Sequence, residues 1–181
     1  MRTTMKLFIA YLAMVLFSTG TIAATKPFNF SLTPDVAVNP RSDTIEGFTA
    51  SVWGENQQTS LALGVANGTV GQSAGLSVGL ILNYADDYKG IQWAAINYTK
   101  KDFLGWQGGL VDYVAGTMMG LQSGVVNYAG RVKGLELGLV NYTEDVEAGC
   151  QIGLINIIGT NKSWFHDLPN SLAPTMIIVN W

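Results

Sequence analysis

Gly120-Leu-Gln-Ser-Gly-Val-Val-Asn-Tyr128 is followed by Gly134-Leu-Glu-Leu-Gly-Leu-Val-Asn-Tyr142 and then by Gly149-Cys-Gln-Ile-Gly-Leu-Ile-Asn-Ile157. Upstream, the same wording is found in Gly105–Tyr113, Gly90–Tyr98 and Gly75–Tyr84, with a truncated copy at Ser60–Asn67. The Asn or Asp near the end of each copy falls at 67, 83, 97, 112, 127, 141 and 156, spacings of 14 to 16 residues. Self-similarity at a fixed period marks an architecture built from one repeated unit.

Within a copy the residue types alternate in steps of two, the signature of a strand. Gly134–Tyr142 splits into Leu135, Leu137, Leu139 and Asn141 against Gly134, Glu136, Gly138, Val140 and Tyr142. One face is bulky and apolar. The other is small, with one polar residue at a fixed level: Ser77, Gln92, Gln107, Gln122, Glu136 and Gln151. A helix is excluded, because helical burial needs apolar residues at three- and four-residue steps. The repeated glycines would also each cost a helix about 1 kcal/mol relative to alanine. The extra residue in the Gly75 copy reads as a β-bulge.

The joining segments are short and charged, with Asp86, Asp87, Lys89, Lys100, Lys101, Asp102, Arg131, Lys133, Glu144, Asp145 and Glu147. Connections of this length usually join antiparallel neighbours. Phe28–Leu32, Ile45–Gly54 and Thr175–Trp181 add three strands to the seven repeats. The expected fold is therefore an all-β, antiparallel up-and-down β-barrel of about ten strands. An even strand number with long connections at 33–44 and 158–174 fits single-chain bacterial barrels. The C-terminal strand Thr175–Trp181 ends in an aromatic, like the signal read by the barrel assembly machinery. Tyr84, Tyr98, Tyr113, Tyr128 and Tyr142 would form an aromatic girdle. Strict alternation, however, turns those tyrosines inward.

On this reading the leucine-type face meets membrane lipid, and Gln92, Gln107, Gln122, Glu136 and Gln151 line a lumen. One alternative reverses the faces, giving a soluble periplasmic sandwich, solenoid or ligand-holding barrel with an apolar ligand; another makes the chain one piece of a stacked surface array. The turns favour the first of these, since both ends look alike, with an apolar residue at 88, 103, 118, 132 and 146.

Residues 1–23 read as a signal peptide: Arg2 and Lys6, an apolar run from Leu7 to Phe17, and small residues before a cut after Ala23. Residues 24–181 then form one domain. Without Arg2 and Lys6, eight basic residues face 13 acidic ones, a formal charge of −5. No basic stripe suggests nucleic acid. Cys150 is the only cysteine, so no internal disulfide forms, and with one histidine a transition-metal site has too few ligands. No cofactor is expected.

No enzyme is read from the chain. His166 lies beside Asp167 and near Ser163, but triads assemble in space from separate segments, so this closeness is no support. Gly105-Trp-Gln-Gly-Gly lacks the lysine and serine of a phosphate-binding loop. The turn carboxylates Asp86, Asp87, Glu144, Asp145 and Glu147 would hold calcium only if they met at one rim. Trp164 and Phe165, in the last long connection, are the expected surface contact.

The repeat wording Gly-Leu-Gln-x-Gly-Leu-Val-Asn-Tyr-Ala, best matched by Gly120–Ala129, Gly134–Thr143 and Gly149–Ile157, resembles a family of bacterial surface-repeat proteins. The resemblance covers residues 60 to 158 and implies an envelope location but no activity. The copies at Gly90 and Gly105 depart from it by tryptophan and alanine substitutions. The expected function is a non-enzymatic bacterial outer-membrane or surface protein, a small pore or a structural or adhesive barrel.

Overall fold

A computed structural model describes residues 23–181, and residues 1–22 of the expected leader at 1–23 lie outside the described residues. The chain is all-β, with strands β1 (Thr25–Thr33), β2 (Val36–Ala37), β3 (Thr44–Trp93), β4 (Ile96–Thr99), β5 (Phe103–Gly108), β6 (Val111–Ser123), β7 (Val126–Ile158) and β8 (Thr175–Asn180). The long elements are continuous extended chain that bends at corners. The repeats do not zigzag. They wind as the coils of a β-solenoid, each stacked in parallel on the one before.

The register shows this directly. Asn83 pairs with Asn97, Asn97 with Asp112 and Asp112 with Asn127, all parallel. Likewise Gly90 pairs with Gly105, Gly105 with Gly120 and Gly120 with Gly134. Each coil supplies two strand segments, such as Tyr88–Trp93 and Ile96–Thr99. β4 bonds to neighbours in β3 and β6, not to β5. A corner therefore joins two strands that face each other across the interior, and the hydrogen-bonded neighbour comes a full repeat later.

The ten-stranded antiparallel barrel is thus overturned, and with it the pore, the lipid-facing belt and the outer-membrane location. Two findings decide it. Neighbouring repeats run parallel, whereas transmembrane barrels are antiparallel and closed. Moreover β4 has four residues and β5 six before the chain turns, fewer than the roughly nine a tilted spanning strand needs. The terminal strand is not presented to assembly machinery either. β8 lies antiparallel along β7, pairing Gln151 with Asn180 and Ile157 with Thr175, and closes the last coil. The Trp181 indole donates to the Pro169 carbonyl at 2.9 Å. At the other end β1 runs parallel to the start of β3, and β2 folds back antiparallel on β1. Solenoids need such distinct end segments, which cover the terminal coils.

The interior has an apolar half and a polar half. Tyr88, Phe103, Met118 and Val132, with Val146 against them, stack beside Ala85, Val114 and Ala129. This row is the set of apolar turn residues seen in the sequence. The polar half holds Gln92, Gln107, Gln122, Glu136 and Gln151 from one strand of each coil and Asn83, Asn97, Asp112, Asn127 and Asn141 from the other, all buried.

Alternation breaks at the corner between the two strand segments of a coil. In Leu139-Val140 and Val125-Val126 two successive side chains point outward, so the phase shifts by one. Asn141 is consequently buried and Tyr142 exposed, which removes the difficulty with the tyrosines. They stand outside and stack along the axis: Tyr98 on Tyr113 at 5.1 Å, Tyr113 on Tyr128 at 4.4 Å and Tyr128 on Tyr142 at 5.5 Å between ring centroids. These spacings follow the strand separation of about 4.8 Å.

One row requires glycine. Gly75, Gly90, Gly105, Gly120, Gly134 and Gly149 have φ between 121° and 154°, and a Cβ on any of the later five would overlap the carbonyl of the glycine one coil earlier. The extra residue of the Gly75 copy is not a ladder bulge. Gly90 stacks on Gly75 and Asn83 pairs with Asn97, so the added residue is taken up between them, at the corner near Leu80 and Ile81.

Candidate functional site

The five residues expected to line a lumen instead form a solid ladder. The Gln107 amide donates to Gln92 Oε1 at 2.9 Å, Gln122 to Gln107 Oε1 at 3.0 Å, and Gln151 to Glu136 Oε2 at 2.7 Å. A second ladder runs in the opposite sense: Asn67 donates to Asn83 Oδ1, Asn83 to Asn97, Asn97 to Asp112, Asn127 to Asn141 and Asn141 to Asn156, at 2.7 to 3.1 Å. Asn67, Asn97, Asn127 and Asn141 each also donate to a backbone carbonyl of the next coil, as Asn141 does to Ile152 at 3.0 Å. These side chains replace water for the coil's buried polar groups. They leave no channel.

Two ladder positions carry an acid in place of an amide. Burial pushes the Asp112 carboxyl up to about 7, against the opposing effect of its hydrogen bonds to Asn97 and the backbone of Ser123. Burial likewise raises Glu136 to about 8, opposed by the Gln151 amide.

The exterior is apolar where ordinary domains are polar. Ile91, Trp93, Leu104, Trp106, Ile96, Val111, Val126 and Ile155 are all exposed. On this surface a groove of about 640 Å³ opens along one corner of four successive coils, lined by Val78–Leu80, Trp93–Ala95, Trp106, Gly108–Leu110 and Ser123. Local sequence builds it. The added residue thrusts Leu80 out to 72 % exposure, and Ala94, Ala95, Gly108 and Gly109 leave room below. Trp93 and Trp106 form one wall, with ring centroids 5.9 Å apart at 40°. The Trp106 indole N–H donates to Ser123 Oγ at 2.8 Å, which fixes that ring. Trp93 is left 57 % exposed. The groove's size and lining fall within the range of small-molecule sites.

Sequence reading treated the tryptophans of the Gly90 and Gly105 copies as departures from the repeat and missed the groove. The signal was present. Three consecutive copies, at Gly75, Gly90 and Gly105, are the ones that depart from the repeat, and their departures meet at this corner.

The remaining candidates are scattered. Trp164 and Phe165 are about half exposed in the connection to β8, with ring centroids 6.2 Å apart and 59° between planes. They lie in a different part of the chain from the groove lining. Among the described residues no hydrogen bond joins His166 to Ser163 or Asp167, and no group of three or more His, Cys, Asp or Glu is placed to hold a metal. The turn carboxylates pair with cations of the adjacent coil instead: Asp86 with Lys100, Asp87 with Lys101, and Asp145 and Glu147 with Arg131. Glu144 accepts from the Tyr128 hydroxyl at 2.9 Å, which raises that phenol to about 12. Comparison with models of protein families, with curated proteins and with solved structures finds no match for the chain.

Proposed function

We propose that the chain is an exported, non-enzymatic β-solenoid that binds a small apolar ligand in the groove beside Trp93 and Trp106. The groove itself is the observation that carries this reading. Here an apolar exterior becomes concave, and the walls combine two aromatic rings with Val78, Leu80 and Leu110. A planar or branched apolar molecule would bury area against both indoles, while Ser123 and the corner carbonyls offer polar contacts at the rim. Export rests on the leader at residues 1–23. The solenoid supplies a rigid frame, since the lining residues sit on corners pinned by the asparagine ladder.

Titration with the neutral probe N-phenyl-1-naphthylamine tests this. Saturable one-to-one binding is expected, with energy transfer from tryptophan. The double variant Trp93→Ala/Trp106→Ala should weaken it about a hundredfold, since a buried aromatic contact contributes more than 1 kcal/mol per ring. Trp164→Ala should leave it unchanged. Unsaturable binding, or equal affinity in the double variant, would reject the groove.

A further inference from the structure

Each amide ladder is interrupted once, and each interruption falls at an acid. In the asparagine ladder Asp112 Oδ2 and Asn127 Oδ1 are buried without a hydrogen-bond partner. In the glutamine ladder the same holds for Gln122 Oε1 and Glu136 Oε1. Asp112 and Asn127 are register partners in adjacent coils, as are Gln122 and Glu136. A Cβ built on Gly124 would lie 3.0 Å from Asp112 Oδ2 and 2.8 Å from Asn127 Oδ1, so these two oxygens border the same point. Two acceptors facing each other in a buried interior repel, and an unmade bond there is costly. One proton per pair resolves both.

We propose that Asp112 and Glu136 are held protonated as hydrogen-bond donors, to Asn127 Oδ1 and Gln122 Oε1 respectively, so that two buried protons complete the ladders and make the coil stack acid-stabilised. A neutral carboxyl has one O–H donor and one free oxygen. This is what each position requires, since the other oxygen already accepts from Asn97 or from Gln151. Among the described residues, the surroundings contain no cation to stabilise a carboxylate. Asp112 is flanked by Asn97 of β4, Asn127 of β7 and the backbone of Ser123. Glu136 is flanked by Gln122 and Gln151, and its ladder bonds elsewhere to the Thr99 hydroxyl and the Tyr128 and Ile157 carbonyls. No charged side chain shifts either acid. The nearby ionic residues Arg131, Lys133, Asp145 and Glu147 pair with one another on the exposed corner.

The direction with pH follows. Below the ordinary carboxylate range both folded and unfolded chains are protonated, and the ladder bonds contribute fully. Between that range and about 7 for Asp112 or 8 for Glu136, the unfolded chain has released protons that the folded chain retains, so stability falls as pH rises. Above both, the folded chain carries two buried charges and the loss is complete. The device does not depend on the groove.

Urea unfolding of the full chain between pH 5 and pH 9 provides the test, comparing wild type with Asp112→Asn, Glu136→Gln and the double variant. Each amide supplies the donor permanently. For wild type the unfolding equilibrium constant should rise at least about a hundredfold from pH 5 to pH 9, because each tenfold preference of the proton for the folded chain enters that constant as a factor of about ten. The double variant should change less than about tenfold and exceed wild type in stability at pH 9. Isotope-edited infrared spectra provide a second readout: a protonated carboxyl carbonyl band present at pH 5.5, lost above pH 9, and absent in the double variant. A wild-type slope retained in the double variant, or no such band at pH 5.5, would overturn the proposal.

Discussion

Gly105→Val is expected to prevent the chain from folding as a single cooperative stack. At φ 138° this glycine occupies a backbone conformation that side chains rarely adopt, and any Cβ would overlap the Gly90 carbonyl oxygen one coil earlier. Strain of this kind costs about 1–3 kcal/mol alone. The overlap is with backbone, which cannot swing away, so coils must separate locally and lose ladder bonds as well. Destabilisation of more than about 4 kcal/mol is expected, comparable with the whole stability of a small domain. Gly108 provides the contrast. Its Cβ would meet only the Ser123 hydroxyl and the Trp106 ring at 3.4 Å, without unusual φ, so Gly108→Ala should cost less than about 1 kcal/mol. Strand circular dichroism with urea titration separates the two. Equal tolerance at both positions would mean that the glycines do not stack.

The second large effect concerns Asn141. Its amide donates to the Ile152 carbonyl at 3.0 Å and to Asn156 Oδ1 at 2.8 Å, while its oxygen accepts from Asn127 at 2.7 Å. Asn141→Leu is close in volume and removes all three bonds. It leaves at least two buried acceptors unpaired, each costing about 1–3 kcal/mol. A loss of about 4 kcal/mol is expected, transmitted to the C-terminal coils because solenoid stability is shared between neighbours. Leu139→Ala, two residues away but half exposed, should cost about 1 kcal/mol or less. The reverse ranking would place leucine inside and asparagine outside.

Much of the fold was legible in the repeat. Its period, its strand character and the division into a bulky face and a small, glutamine-bearing face all follow from the spacing of Gly, Gln and Asn. The direction of pairing was not. Alternation in steps of two records which face a side chain takes, but nothing about whether the bonded neighbour runs parallel. Short corners such as 100–102 serve an antiparallel hairpin and a solenoid equally well. One clue was available in the paired apolar residues at the corners, Leu110-Val111, Val125-Val126 and Leu154-Ile155. Two outward side chains in succession shift the phase at that corner, which is how Asn and Tyr exchange sides. A barrel strand crossing a bilayer in one pass has no reason to do this. The apolar exterior also misled. Leucines facing outward suggested lipid, whereas here the amide ladders fill the interior and leave the larger side chains outside.

The groove was legible only as a departure. Copies that match the repeat maintain the stack, and the copies at Gly75, Gly90 and Gly105 that break it converge on one corner. Asp112 and Glu136 are departures of the same kind, each replacing an amide by the corresponding acid inside a ladder. Their effect depends on burial and on which oxygen lacks a partner, neither of which the linear order of residues reveals.

The parallel stack itself is tested most directly by distances from Cys150, the chain's single cysteine. Gly149 stacks on Gly134, Gly134 pairs with Gly120, Gly120 with Gly105, Gly105 with Gly90, and Gly90 stacks on Gly75. Cys150 therefore heads the row Leu135, Leu121, Trp106, Ile91 and Leu76. Pulsed electron spin resonance on chains labelled at Cys150 and at a cysteine replacing Trp106, Ile91 or Leu76 should give distances that grow by about 4.8 Å per coil. A saw-tooth sequence, with equivalent positions alternating between opposite rims, would contradict the solenoid and restore antiparallel pairing.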